Sequence, residues 1–548
     1  MTDATAPVPD AVLRETTAPG VLRAAAATWP TRSALEAATR HWTFAELWTD
    51  VQATARAFHA LGLTAGERIA IWAPNQPEWI FAALGAQCLG AALVPLNTRL
   101  KGREAADILR RSRVRVLVTV EPFLGTDYPA LLAGEALPDL RQMVRLPVPE
   151  GHATSTPAPL AANLPPLLDW NTFLASGAGV APSIVDAAMD AIDASDVADI
   201  LFTSGTTGSP KGVVCTHGQN TRSFRAWATA VDLRPGDRYL IVNPFFHAFG
   251  DKSGWLVCLL QGATALPMAV FDAGEVMRRI VADRITVLPG PPTIFQSLLA
   301  HPDRSHYDLS SLRVAVTGAA SVPPVLIQRM RDELGFSTVL TGYGLTESTG
   351  LVSMCRIGDS VERVATTCGV PIPGVEVRLV AADGGDAPPD APGELWVRGF
   401  NVMQGYLDDA AATAEAIDAD GWLHTGDIAV RDAAGYLRIT DRMKDMYICG
   451  GFNCYPAEIE RLMSTHPAMA QVAVFGVPDE RLGEVGRAVV VLRPSTHCTA
   501  PELIAWCRAE MANYKVPREV LFVDSLPVNA AGKVTKFQLK AWQAEEHS

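Results

Sequence analysis

A chain of 548 residues with 48% hydrophobic and 19% charged residues is a folded globular protein too large for one core, and about two to four domains are expected. Its net charge of −13 argues against a nucleic-acid-binding surface, so any anion site must gather positive charge locally. Nine cysteines without a CxxC pair read as reduced thiols of a cytoplasmic protein rather than as disulfides or zinc ligands.

The first ten residues have neither a basic segment nor an apolar run, so no secretory leader is expected. At Thr43-Phe44-Ala45-Glu46 a capping box opens an amphipathic helix with Leu47, Val51, Phe58 and Leu61 on one face and Gly62 closing it. The strand Arg68–Trp72 follows. The most apolar run, Ile80 to Leu96, is broken by Gln87 and two glycines and is short for a bilayer. It predicts a buried helix around Trp79–Leu89 and a strand over Ala91–Val94, with no stable membrane insertion. A further strand is expected over Val114–Thr119. Residues 146–166, rich in Pro and Ala, read as a surface excursion.

The middle third repeats the alternation, with strands near Tyr239–Val242, Ile285–Leu288 and Val314–Thr317, each ended by Pro or Gly. This pattern predicts an α/β fold with a largely parallel sheet, whose ligands bind at the carboxyl ends of the strands. Residues 368–440 change to alternating strands, Val375–Leu379 and Glu394–Arg398, and form a β-rich subdomain. Beyond Asp441-Arg442 the text predicts a small α+β module. Its elements are a helix at Ala457–Met463, strands at Val472–Phe475 and Ala488–Leu492, and a helix at Pro501–Met511. The main boundary is placed at 440/441, giving domains 1–440 and 441–548.

The chemistry centres on Thr203-Ser204-Gly205-Thr206-Thr207-Gly208-Ser209-Pro210-Lys211-Gly212, which follows the apolar run Ile200-Leu201-Phe202. Glycines let backbone N–H groups approach an oxyanion, hydroxyls donate further hydrogen bonds and lysine adds a point charge. The spacing is not that of a Walker A loop, because no hydroxyl follows Lys211. On composition alone the stretch is either a phosphate loop or a surface turn. Downstream stand Pro244-Phe245-Phe246-His247-Ala248-Phe249-Gly250, Gly318-Ala319-Ala320, and Thr341-Gly342-Tyr343-Gly344-Leu345-Thr346-Glu347. They are followed by Gly421-Trp422-Leu423-His424-Thr425-Gly426-Asp427, the run from Asp441 to Pro456, and Gly532-Lys533-Val534-Thr535-Lys536.

Six such motifs in this order, with Gly318-Ala319-Ala320 taken together with the tyrosine motif it precedes, resemble the adenylate-forming superfamily of acyl-CoA synthetases, luciferases and peptide-synthetase adenylation domains, over essentially the whole chain. The resemblance implies a large N-terminal domain of layered α/β subdomains with a β-rich part, and a small mobile α+β C-terminal domain. It implies that residues 203–211 hold the phosphates of ATP, that Gly318, Ala319 and Ala320 wall the adenine and that Tyr343, after Gly342, stacks on it. Thr346 would bond the α-phosphate, while Glu347, with Thr203, would hold Mg2+. His247 would flank the acyl carboxylate. Asp427 would accept the ribose hydroxyls and Arg442 would contact the ribose. Lys444 would be the hinge, Gly450 and Gly451 would lie beside the pantetheine of CoA, and Lys533 would be the adenylation lysine, with Lys536 as the fallback. The sequence departs from the common pattern at Phe452, where glutamate is usual, and at Cys454.

The implied activity is ATP-dependent ligation of a carboxylic acid to CoA through an acyl-adenylate. Residues 243–250, 287–294, 445–453 and 482–487 together resemble one bacterial branch. That branch activates HIP, the methyl-hydrindanone propanoate left from the C and D rings of a degraded steroid. Phe245, Phe246 and Phe249 offer apolar surface for such an acid, and Lys252 or Ser253 is expected to reach a ring ketone. Three other readings stay open: a medium-chain or aryl acid ligase, a luciferase-like oxidative enzyme, and a silent nucleotide-binding protein. So does the pairing of two chains as a homodimer. A peptide-synthetase module is not expected, since the chain ends soon after the lysine motif.

Overall fold

The computed structural model describes residues 8–149, 151–152, 156–203, 210–318, 322–381, 383–442, 445–449, 452–454, 456–479, 482–511, 513–528, 534–536 and 538–540. Apolar strands that end on Gly, Pro or a polar residue assemble into two large sheets. The first has eight strands, in the order Gly405–Tyr406, Lys211–Thr216, Val197–Thr203, Ala92–Pro95, Arg68–Trp72, Val116–Val120, Gln142–Leu146 and Leu167–Asp169. The last six run parallel, whereas the first two are antiparallel additions. The second sheet has nine strands and is parallel from Ser33–Glu36 through Thr264–Pro267, Arg238–Ile241, Val287–Pro289 and Val314–Thr317 to Thr338–Tyr343. Antiparallel strands close both its edges.

Central strands such as Arg68–Trp72 and Val116–Val120, apolar but for Arg68 and Thr119, are covered on both faces, as parallel sheets require. The helix Phe44–Ala60 begins with the expected capping box and buries Leu47, Val51 and Phe58. The apolar run after residue 76 divides into the helix Pro77–Gln87 and the strand Ala92–Pro95, both buried. No single helix among the described residues is long and apolar enough to cross a membrane.

The β-rich part is a four-stranded antiparallel sheet of Val375–Val380, Gly393–Gly399, Leu423–Arg431 and Leu437–Arg442. The boundary expected at 440/441 falls inside the last of these strands. A second apolar core then begins at Tyr447 and continues to Leu539, separate from the core that spans Val12 to Leu437. It is built on Tyr447–Cys449, Gly483–Leu492, Met469–Asp479 and the helices Pro456–Met463 and Ala500–Glu510. An unpredicted element bears directly on the site: residues Asp251–Leu256 form a π-helix directly after the histidine loop. Its wider turn breaks the 3.6-residue period, so an apolar pattern cannot announce it.

Candidate active site

The glycine- and hydroxyl-rich stretch connects the antiparallel strands Val197–Thr203 and Lys211–Thr216, with Thr203 paired to Lys211. Its two ends, Thr203 and Lys211, therefore face each other at the carboxyl end of a parallel strand. Thr203 Oγ1 donates to the carbonyl of Lys211 at 3.4 Å and closes the hairpin base. Arg111 holds the other foot, donating to the Pro210 carbonyl at 2.6 Å while its guanidinium lies 5.3 Å from the Phe202 ring centre. Ser204, Gly205, Thr206, Thr207, Gly208 and Ser209 lie outside the described residues.

The histidine loop follows the strand Arg238–Ile241. Asn75 pins it: its amide nitrogen donates to the Asn243 carbonyl at 2.9 Å and its oxygen accepts the Phe245 N–H at 2.8 Å. A side chain at Gly250 would place Cβ 2.2 Å from the Pro244 carbonyl oxygen, which is why the loop ends in glycine. His247 caps the short helix Ala248–Gly250, its Nδ1 accepting the Phe249 N–H at 3.2 Å. The imidazole opens to solvent yet sits deep among protein atoms, and desolvation lowers its pKa. With Nδ1 as acceptor, the proton of the neutral ring is assigned to Nε2, a donor suited to a carboxylate oxygen.

Tyr343 ends the strand Thr338–Tyr343, and Gly318 follows the neighbouring Val314–Thr317. A Cβ at Gly318 would lie 3.3 Å from the Gly342 carbonyl oxygen, so the expected adenine wall and the tyrosine are adjacent. Ala319 and Ala320 lie outside the described residues. The chain then turns through Thr346–Ser348 into Thr349, whose φ of 58° is unusual for a β-branched residue. The surrounding structure holds that conformation. Thr349 Oγ1 donates to the Asn401 carbonyl at 2.7 Å, Asn401 Nδ2 to the Leu351 carbonyl at 2.7 Å, and Met403 N to the Glu347 carbonyl at 2.9 Å. Thr346 and Glu347 are thereby presented half-buried at the rim of the site.

Glu347 Oε1 accepts the Tyr406 hydroxyl at 2.9 Å, and Lys211 Nζ lies 4.8 Å from the Tyr406 ring centre. The Asp427 carboxylate, on the strand Leu423–Arg431, is buried and accepts the Tyr343 hydroxyl. Burial first, then the Asp427 charge, pushes the Tyr343 phenol far above its ordinary pKa. Asp427 pairs in register with Arg442 on the adjacent strand. The structure thus brings together residues of the hairpin, the tyrosine turn and the aspartate strand. Lys444, Gly450, Gly451 and Lys533 lie outside the described residues. Lys536 lies inside them and is ion-paired to Glu460 at 2.8 Å within the C-terminal core.

Three expectations about the acyl side are corrected. Lys252 does not project toward a ligand: it is 1% exposed and its ammonium lies 2.9 Å from Asp199. Burial opposes that charge, but the Asp199 carboxylate outweighs it and holds the pKa above the usual value. Ser253 is also buried, its hydroxyl donating to the Phe249 carbonyl at 3.0 Å. Phe245 packs inward, 5.2 Å from the Trp79 ring centre, leaving Phe246 and Phe249 half-exposed. The π-helix causes the first two reversals, because it carries residues 251–256 straight into the interior.

Among the described residues no group of three or more His, Cys, Asp or Glu is arranged to hold a metal ion. One carboxylate at Glu347 and one hydroxyl at Thr203 are oxygen donors of the kind that suits Mg2+, which takes one or two carboxylates and otherwise phosphate and water oxygens. Asn75, Arg111, Thr349 and Tyr406 were missed in the sequence. Asn75 carried a faint signal, a Pro-Asn-Gln-Pro turn after a strand; the others carried none.

The pattern of the AMP-binding enzyme family matches residues 22–407, and that of the AMP-binding enzyme C-terminal domain matches residues 458–533. The chain is 52% identical over 511 residues to the 3-[(3aS,4S,7aS)-7a-methyl-1,5-dioxo-octahydro-1H-inden-4-yl]propanoyl:CoA ligase of Mycobacterium tuberculosis, covering 93% of this chain and 96% of that one. It is 49% identical over 526 residues to the ligase of the same name from Rhodococcus jostii, covering 96% and 98%. Among solved structures, the anthranilate CoA ligase AuaEII in complex with anthranoyl-AMP superposes with a TM-score of 0.82 at 26% identity, over 96% of this chain and 97% of that one. ATP-bound MatB from Rhodopseudomonas palustris gives 0.83 at 25%, over 97% and 100%.

Proposed function

This chain belongs to the AMP-binding enzyme family and is an AMP-forming acyl-CoA synthetase that uses ATP, CoA and Mg2+; we propose that the acid it activates is HIP, the steroid-derived methyl-hydrindanone propanoate. The observation that carries the substrate is the similarity, over nearly the full length of both chains, to two bacterial ligases named for that acyl group. We further propose that residues 441–548 act as the mobile C-terminal domain, that Lys444 is its hinge and that the enzyme works in the cytoplasm, as a homodimer.

In the first step a carboxylate oxygen attacks the α-phosphorus of ATP, the bond to the β-phosphate breaks and pyrophosphate leaves. His247, neutral and carrying its proton on Nε2, donates to the carboxylate and holds it in line. Residues 203–211 receive the β- and γ-phosphates, with Lys211 as the charge, and Thr346 bonds the α-phosphate. Tyr343 stacks on the adenine, while Asp427 and Arg442 take the ribose. Glu347 and Thr203 would hold Mg2+, which when bound neutralises phosphate charge and orients the leaving group. In the second step the CoA thiolate, beside Gly450 and Gly451, attacks the acyl carbon, the carbon–oxygen bond to AMP breaks and AMP leaves.

Lys533 is proposed to stabilise charge in the first step alone. Lys536, tied to Glu460, is the weaker candidate. Lys533→Ala should lower acyl-adenylate formation by about a hundredfold or more while sparing thioester formation from supplied adenylate. Equal loss of both half-reactions would overturn the assignment. A panel of HIP, octanoate and cinnamate tests the substrate: kcat/KM should favour HIP, and preference for either simple acid would discard the steroid reading.

A further inference from the structure

The segment from Asn401 to Leu407 is stitched to two motifs of the site at once. On one side Gly405–Tyr406 pairs antiparallel with Lys211–Thr216, placing Tyr406 opposite Val213; Gln404 N donates to the Val214 carbonyl at 3.0 Å and Leu407 N to the Gly212 carbonyl at 2.7 Å. On the other side Asn401 and Met403 bond the turn that carries Thr346 and Glu347. Tyr406 N also donates to Thr413 Oγ1 at 2.8 Å, so the backbone at the tyrosine is held independently of its side chain. Its ring and hydroxyl then reach one functional group from each motif: the Lys211 ammonium lies over the ring, and the hydroxyl donates to Glu347 Oε1.

We infer that Tyr406 is a positioning residue for the adenylation step, fixing the Glu347 carboxylate for Mg2+ and the Lys211 ammonium for the leaving phosphates. A carboxylate at the rim of a site has several rotamers. A donated hydrogen bond to one oxygen selects among them and leaves the other oxygen for the ion, the role that outer-shell partners play at metal sites. The ring face attracts the ammonium without neutralising it, so Lys211 keeps its charge for phosphate while losing rotamer freedom. The two halves of the side chain are separable, since Tyr406→Phe removes the hydroxyl and keeps the ring.

This inference rests on the roles proposed above for Glu347 and Lys211, and the test separates its failure from theirs. ATP binding to the full-length protein is followed by titration calorimetry at increasing Mg2+, which reads affinity without turnover. Tyr406→Phe should raise the Mg2+ concentration for half-maximal ATP affinity by about tenfold, the size expected for losing a hydrogen bond to a charged group. ATP affinity without Mg2+ should stay unchanged. In a Glu347→Gln background the Tyr406→Phe change should add no further loss, because the group it positions is gone. Tyr406→Leu, which removes the ring as well, should additionally weaken inorganic pyrophosphate binding by severalfold. A wild-type Mg2+ requirement in Tyr406→Phe, with Glu347→Gln strongly altered, would overturn the positioning role and leave Glu347 as the ligand. A wild-type requirement in Glu347→Gln would overturn both.

Discussion

Two lysines stand in acid-containing clusters, and their depth gives them opposite work. Lys252 is sealed with Asp199, whose carboxylate also accepts the Asn220 amide, beside His217 and a buried Asp251. Lys211 is half-buried at the hairpin edge against Tyr406, whose hydroxyl serves Glu347. A buried charge needs its partner to be tolerated at all, so the inner pair is a structural lock between the strand Val197–Thr203 and the π-helix. A charge at the rim keeps enough solvation to exchange water for phosphate. The same residue type therefore reads as scaffold in one place and as chemistry in the other, and only packing separates them.

The contrast is sharpest in stability. Lys252→Met leaves Asp199 uncompensated and should cost about 3–5 kcal/mol in chemical denaturation, whereas Lys211→Met should stay within about 0.5 kcal/mol of wild type. Adding Asp199→Leu to Lys252→Met should recover most of the loss. Equal stability of the two single variants would break the comparison.

The inner cluster also predicts a pH response. Burial lowers the His217 pKa to about 4, against the pull of Asp199 and Asp196, and its Nδ1 accepts the Ala18 N–H at 3.4 Å. Below the unfolded value of about 6.5 the unfolded chain binds a proton that the folded imidazole refuses. This contribution to stability is therefore complete above pH 6.5 and is lost as pH falls toward 4, by about 3 kcal/mol in total. Unfolding of His217→Asn between pH 4 and 6.5 should have a flatter pH dependence than wild type; parallel curves would contradict it.

At the rim, Tyr343→Phe deprives the buried Asp427 of its hydroxyl donor and should weaken ATP binding by about 1–2 kcal/mol while leaving the KM for the acid unchanged. Loss confined to the acid would place Asp427 elsewhere in the mechanism. The smallest effect is expected at Ser253→Ala. It removes the hydrogen bond from the π-helix back to the Phe249 carbonyl, worth about 1 kcal/mol of stability, and discrimination between HIP and an analogue lacking a ring ketone should not change. A change in that discrimination would restore Ser253 as a substrate contact.

Much of the architecture was legible because it rests on local rules. The Thr43 capping box, the apolar strand Arg68–Trp72 and the Gly and Pro at strand ends each specify their element within a few residues. The site motifs were legible as strings, and Gly250 has a direct steric reason in the close approach of the Pro244 carbonyl. What the strings lacked was depth. Phe245, Lys252 and Ser253 follow one another closely in an apparent pocket loop, yet Phe245 packs inward on Trp79 and the π-helix turns Lys252 and Ser253 toward Asp199 and the Phe249 carbonyl. Tyr406 was invisible for the converse reason: it lies 59 residues from Glu347 and is brought there by a two-residue edge strand. Long-range juxtapositions of that kind leave no periodic trace.

The central claim is that this chain joins HIP to CoA through an adenylate. It is tested most directly by measuring AMP and pyrophosphate release with HIP as the sole carboxylate, with and without CoA. The account predicts sustained AMP release that requires both HIP and CoA, with at most a single turnover of pyrophosphate when CoA is omitted. Silence with HIP alongside steady turnover of a simple fatty or aryl acid would contradict the substrate, and AMP release indifferent to CoA would contradict the ligase.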